Sequence, residues 1–305
     1  MVSKNSIVKL GILGFNEGNG HPYSFSAIIN GYDPQEMSTC EFPVIYSYLE
    51  KREKSELGID KLEVTHIWTP TLERSKKIAA CCYIKNIVED YYEMIGEVDA
   101  VIIARDDSDS HRELAKVFLE NNIKVFIDKP LCRNIEDLRY FAPYLQKGEI
   151  FSTSGFRYHP DVNNLKSKRE SLFIFNTFND WYKYGVHVLE GAYAINNSRI
   201  LTVENISTSV DDLVVFCCEN GSRILISRTD SNNSFYGVLV DNDKVVKYND
   251  NFHYFKKMLL DFEKFCLGIP TSFSYKETLN IIEALIKAQI SKDKNLKIEV
   301  NEFGE

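Results

Sequence analysis

The chain has no apolar run approaching the ~18 residues that a membrane-crossing helix requires. Its opening stretch, Met1 to Gly20, is apolar only briefly and then breaks into glycines, so neither a signal peptide nor a span is expected there. A cytoplasmic location follows, and the glycosylation sequons at Asn205 and Asn220 then carry no meaning. No C-x-x-C is present. The seven cysteines are Cys40, Cys81, Cys82, Cys132, Cys217, Cys218 and Cys266, an odd number with two adjacent pairs. That pattern argues against a disulfide framework or a zinc site, and reduced, mostly buried thiols with no metal are expected. No Lys/Arg stripe stands out, and 36 basic against 44 acidic residues give a net charge of −8. Nucleic acid is therefore not expected as a partner, and any phosphate must be held locally. Internal repeats and low-complexity segments are also missing.

What is present reads as two domains, since 305 residues with 44% hydrophobic and 26% charged content suit a soluble globular protein of that organisation. Residues 7–14 form an apolar run ending in glycine, as a buried strand would. A helix is expected to start near Tyr23, a second strand over 62–68, a helix over 72–82 and a short strand at 86–88. Val98 to Ala104 is β-branched almost throughout, the pattern of a central parallel strand. Ser110 to Asn121 has helical spacing and can be capped by Asp109 or Ser110. A strand over 124–127 and a helix over 135–145 follow. Strands alternating with helices predict an α/β domain with a parallel sheet over residues 1–150.

From 151 to 305 the texture changes. Strand-like segments at 172–178, 200–208, 212–219, 222–228, 235–241 and 244–248 are joined by turns, which predicts an α+β domain with a mostly antiparallel sheet. Two amphipathic helices close it: Phe255, Met258, Leu259, Phe262, Phe265 and Cys266 make one core stripe, and Leu279, Ile282, Leu285, Ile286 and Ile290 the other. Leu213, Val215 and Cys217 alternate with Val214, Phe216 and Cys218, so neither face of that strand is polar. Burial on both faces, and hence a homo-oligomer (dimer or tetramer), is expected.

Four places could carry chemistry. Gly14, Asn16, Gly18 and Gly20 form an imperfect glycine loop after the first strand, where backbone N–H groups could cradle a pyrophosphate. Such a loop is also a common turn. The second strand ends in Trp68-Thr69-Pro70-Thr71 with no acid to grip a ribose. Thr69 and Thr71 could bond that ribose, and Arg74 could pair a 2′-phosphate or simply face solvent. Asp128-Lys129-Pro130 ends a strand at the ligand-binding edge, where an ammonium could stabilise charge on a reacting oxygen. On a helix, Lys183, His187 and Glu190 would share one face, with His187 able to move a proton near neutral pH.

Together these residues resemble the Gfo/Idh/MocA oxidoreductase family over nearly the whole chain. Asp128-Lys129-Pro130 is similar to that family's E-K-P signature, Gly185-Val186-His187 to the G-x-H of its active-site helix, and Gly155-Phe156-Arg157-Tyr158 to the strand entering its second domain. The resemblance implies a Rossmann domain binding NAD or NADP through Gly14, Asn16, Gly18, Gly20, Thr69, Thr71, Arg74, Ala104, Asp128 and Lys129. It implies catalytic roles for Lys129 and His187, and substrate contacts for Arg157, Tyr184 and Glu190. The implied reaction moves a hydride to or from a sugar, nucleotide-sugar or other polyol-like small molecule. Where the family often carries an aspartate, four residues before the histidine, this chain has Lys183. A two-lysine relay, with Lys129 and Lys183 at one substrate oxygen and one of them neutral, would accommodate that change. A non-catalytic dinucleotide or sugar-ligand binding protein and an NAD-using lyase or glycosidase remain alternatives.

Overall fold

The computed structural model describes residues 6–165, 170–208, 212–229, 235–239, 244–247 and 251–303. The chain opens with β1 (Val8–Leu13), α1 (His21–Asn30), α2 (Pro34–Ser38) and α3 (Pro43–Leu49). Next come β2 (Leu62–Trp68), α4 (Leu72–Cys82), β3 (Asn86–Ile87) and β4 (Ala100–Ile103). Then follow α5 (His111–Glu120), β5 (Lys124–Ile127), α6 (Ile135–Gln146) and β6 (Ile150–Phe151). After α7 (Pro160–Leu165) and β7 (Leu172–Thr177) comes α8 (Val186–Asn196). The later strands are β8 (Ile200–Asn205), β9 (Asp212–Cys218), β10 (Arg223–Arg228), β11 (Tyr236–Leu239) and β12 (Lys244–Lys247). Helices α9 (Asn251–Cys266) and α10 (Tyr275–Lys294) and strand β13 (Ile298–Glu299) close the chain.

These elements form two units. The first contains residues 1–128, 143–152 and 255–272, and the second 129–142, 153–254 and 273–305. Relative to a single division at residue 150, residues 129–142 fall to the second unit, and 151–152 and 255–272 to the first. Residues 255–272 return to the first unit because Phe262 and Phe265 of α9 pack on Phe126 and Phe151 of its sheet, with centroids 5.0–6.1 Å apart within that cluster. An aromatic stripe must find an apolar partner, and each fully buried phenylalanine contributes roughly 1.5–3 kcal/mol.

In the first unit six strands run parallel in the order β3-β2-β1-β4-β5-β6. Leu10, Ile12, Val101, Ile102, Ile103, Val125 and Ile127 are fully buried, as strands covered on both faces must be. The order reverses between β1 and β4, and open α/β sheets bind ligands beyond the carboxyl ends of strands at such a reversal. The expected helix at Ser110 begins at His111, and neither Asp109 nor Ser110 caps it: Ser108–Ser110 make a 3₁₀ turn, and the Ser110 hydroxyl donates to Asp107 O.

The second unit holds seven strands in the order β12-β11-β7-β10-β9-β8-β13. Their pairing is antiparallel except between β10 and β7. One face carries buried Phe173, Phe175, Val214, Phe216, Ile224 and Ile226, with Trp181 stacked on Phe216. The other face is less covered within the chain itself. Leu213, Val215, Cys217 and Leu225 are half-exposed, and Ile174 and Val245 are 37% and 53% exposed, because the chain's own helices cover a single side. Gly155–Tyr158, read as a strand, is a 3₁₀ turn, with Ser154 Oγ accepting from Phe156 N–H. Among the described residues no helix is long and apolar enough to cross a membrane.

Candidate active site

The loop after β1 closes tightly against the start of α1. A Cβ on Gly14 would lie 2.5 Å from Pro22 Cγ, so only glycine allows that approach. Gly18 sits at φ +81° with open space around it. Gly20 precedes α1 without capping it by a side chain; Asn19 Oδ1 accepts the His21 N–H instead. The backbone N–H groups of Phe15, Asn16, Glu17, Gly18 and Gly20 meet no protein acceptor among the described residues. Idle amides beside an open glycine at the head of a helix suit phosphate oxygens, so the pyrophosphate of a dinucleotide fits this loop.

The remaining cofactor candidates divide. Ala104 is buried, and its N–H donates to Leu13 O at the switch point. Thr69 is turned inward, its hydroxyl bonded to Thr71 O at 2.7 Å and to Ser75 Oγ at 2.9 Å. Arg74 is not free for a 2′-phosphate: it pairs with Glu41 at 2.5 Å and lies 3.8 Å over the Phe15 ring. Asp128 is 2% exposed and accepts from Asn19 Nδ2 at 3.3 Å, with His21 Nδ1 at 2.5 Å. A buried carboxylate needs such partners. Asn19 and His21 escaped sequence reasoning because the shift of the glycines drew attention away from Gly-His-Pro at the helix start.

Loop 104–110 supplies a second group that the sequence reading passed over. Arg105 binds Asp107 through both Nε (2.8 Å) and Nη2 (2.5 Å), and its Nη1 donates to Phe15 O at 2.8 Å. Burial works against the Asp107 carboxylate, but this bidentate guanidinium holds its pKa below the usual range. His111 is fully buried, with Nε2 3.0 Å from Arg105 O.

In the second unit, His187 is 9% exposed. Its Nδ1 lies 2.6 Å from Ser154 Oγ, and its ring packs on Phe156 at 4.7 Å and Phe235 at 5.5 Å. Lys129 is also buried, at 7% exposure. Lys183 does not sit on an α-helical face with His187. Residues 181–185 form a π-turn, started by Asp180 Oδ1 accepting from Lys183 N–H, which breaks the i, i+4 stacking assumed from spacing. Arg157 and Glu190 engage each other: Nε donates to Glu190 Oε2 at 2.8 Å, and Nη1 to Glu277 Oε2 at 2.8 Å. Thr153 also donates to Glu190. Tyr184 stacks on Phe235 and packs at a tilt against Phe178. An open cavity of ≈ 180 Å³ between Asp180, Trp181, Tyr182, Asp212, Arg228 and Lys292 includes neither Lys129 nor His187 in its lining.

Residues 46–152 match the model of an oxidoreductase family with an NAD-binding Rossmann fold, Gfo/Idh/MocA. The match covers 107 of the 305 residues. The matched residues carry the pattern of an NAD-binding Rossmann oxidoreductase, and the chain has a parallel, Rossmann-like sheet and a second, mostly antiparallel one. No curated protein sequence matches it. Among solved structures, myo-inositol dehydrogenase from Lactobacillus casei, in complex with NAD(H) and myo-inositol, is 11% identical. It is covered over 100% of its length by 98% of this chain, with a TM-score of 0.72. Myo-inositol 2-dehydrogenase from Lactobacillus plantarum is 10% identical, with coverage of 97% of this chain and 100% of that one and a TM-score of 0.73. An oxidoreductase from Agrobacterium radiobacter, in complex with NAD+, L-tartaric acid and magnesium, is 11% identical, with coverage of 97% and 99% and a TM-score of 0.67. At these identities the likeness is one of fold. The seven cysteines are all free, six of them buried.

Proposed function

We propose that this oxidoreductase oxidises or reduces a CH–OH group of a small polyhydroxylated substrate, a cyclic polyol or sugar derivative. The observation that carries this reading is the idle-amide loop at the head of α1 in the Rossmann unit; the second unit, by itself, holds a buried lysine and a buried histidine. The dinucleotide, when bound, takes or supplies a hydride. The loop 14–20 holds its phosphates, and Asp128, Asn19 and His21 organise the neighbouring strand ends.

His187 is the proton carrier. Ser154 Oγ already accepts the Phe156 N–H, so its own hydrogen is available to Nδ1, which places the imidazole proton on Nε2. Lys129 stabilises negative charge on the reacting oxygen. Arg157 and Glu190, engaged with each other, shape the site rather than bind substrate directly. Lys183 stands in the turn that leads into α8, and Tyr184 offers an aromatic wall. A homo-oligomer joined through the half-exposed sheet face and a cytoplasmic location complete the proposal.

A screen of inositols, free sugars and nucleotide sugars, following the absorbance of reduced cofactor, tests the reaction. Turnover of a polyol with NAD+ or NADP+ is expected. Tight binding of dinucleotide and of a sugar without turnover would favour a sensor, and turnover without net redox would favour a lyase or glycosidase.

A further inference from the structure

The phosphate loop and the loop after β4 are tied together across the switch point. Asn16 Nδ2 donates to Asp106 Oδ1 at 2.6 Å, and Asp106 N–H donates back to Asn16 Oδ1 at 3.0 Å. A third bond runs alongside, from Arg105 Nη1 to Phe15 O at 2.8 Å, and Arg105 is itself fixed by Asp107. All of these residues belong to the first unit.

The switch point between β1 and β4 is where a doubly wound sheet receives its ligand. Here that crevice is spanned by a reciprocal pair, one bond between side chains and one from the Asp106 backbone N–H, while the loop's own amides, the groups suited to phosphate, stay idle. The pair also brings the Asp106 carboxylate to within hydrogen-bond distance of residue 16 of the phosphate loop, where it repels an approaching pyrophosphate. We infer that Asn16 and Asp106 form a clasp that closes the dinucleotide crevice in the free protein, and that cofactor binds only as the clasp opens. The inference rests on the dinucleotide reading of this loop.

A closed state lowers apparent affinity by the fraction of molecules that are open. Removing either half of the clasp therefore strengthens cofactor binding, the reverse of what truncating a ligand-contacting residue does. Asn16→Ala removes both bonds, whereas Asp106→Ala removes one bond and the repelling charge, so both variants should gain.

Hydrogen exchange on the free protein should show an Asp106 amide that is protected, and about tenfold less so in Asn16→Ala. Calorimetry with NADH and NADPH should show each variant binding at least one of them about tenfold more tightly than the unaltered chain, equivalent to about 1.4 kcal/mol. Two variants at opposite ends of the clasp guard against one that fails to fold, which a lost thermal transition would reveal. Equal or weaker binding by both variants, with cofactor bound by the unaltered chain, overturns the clasp and leaves the cofactor reading standing. Binding of neither nucleotide by any of the three proteins overturns the cofactor reading, and the clasp with it.

Discussion

Arg157 offers the most demanding test of the second unit. Its side chain is 6% exposed and bridges two carboxylates, Glu190 at 2% and Glu277 at 22%. Glu190 also accepts from Thr153, and Glu277 belongs to the capping box that starts α10 with Ser274. Arg157→Met keeps much of the apolar stem but leaves Glu190 buried without its cation. Breaking a buried pair on one side costs roughly 3–5 kcal/mol. At roughly 2–4 °C per kcal/mol for a protein of this size, the melting temperature should fall by roughly 6–20 °C at pH 8. The effect should depend on pH in a definite direction. Burial raises the Glu190 carboxyl even with Arg157 present, and losing the guanidinium raises it further. A carboxyl whose folded pKa lies above its unfolded value adds stability below the unfolded pKa and loses it as pH rises through the folded value. The deficit of Arg157→Met should therefore shrink on acidification from pH 8 toward 5. Glu190→Gln, which keeps hydrogen-bonding capacity but removes one charge, should show a weaker pH dependence. Thermal melts of the three proteins at pH 5 and pH 8 settle the matter. A deficit that is the same at both pH values would mean that Arg157 acts by packing alone, for instance over the Phe273 ring 4.9 Å away, and would refute the electrostatic account.

His187→Asn should lower kcat by ~10²–10⁴, the range for a lost acid–base group. Ser154→Ala should cost less and shift the pH profile, and an unshifted profile would remove Ser154 as a positioning residue. Arg74 is paired with Glu41, so Arg74→Ala should change NADPH affinity less than threefold, whereas Glu41→Gln should improve it; direct titration of both variants checks this. The half-exposed sheet face predicts a homo-oligomer in light scattering that Ile174→Lys with Val245→Lys weakens, and a stable micromolar monomer of the unaltered chain would contradict it. Burial pushes the thiols of Cys81 and Cys218 up to about 12, so an aromatic disulfide reagent should reach Cys217, the half-exposed thiol, well before the others; simultaneous reaction of all seven would refute the packing.

Periodicity alone placed the elements well. The run Val98 to Ala104, with no polar residue but Asp99, could only be a strand covered on both faces, and β4 is one. The stripes of α9 and α10 likewise announced core helices, because a 3.6-residue apolar repeat has one solution in water. The Asp-Lys-Pro and Gly-x-His motifs drew attention to the strand end and helix where Asp128, Lys129 and His187 now stand buried. Spacing could not foresee the π-turn at 181–185, because Lys183 and His187 fit an α-helix equally well in one dimension. What decides the turn is three-dimensional: Trp181 packs against Gly185, where a Cβ would meet its ring at 2.9 Å, and donates to Leu285 O. The partners of Arg157, Asp128 and Asn16 lie 120, 109 and 90 positions away, at Glu277, Asn19 and Asp106. Local sequence determines which side chains must be buried or left exposed, since that depends on water. Which charge meets which depends on how distant segments are brought together, and only the tertiary structure decides that.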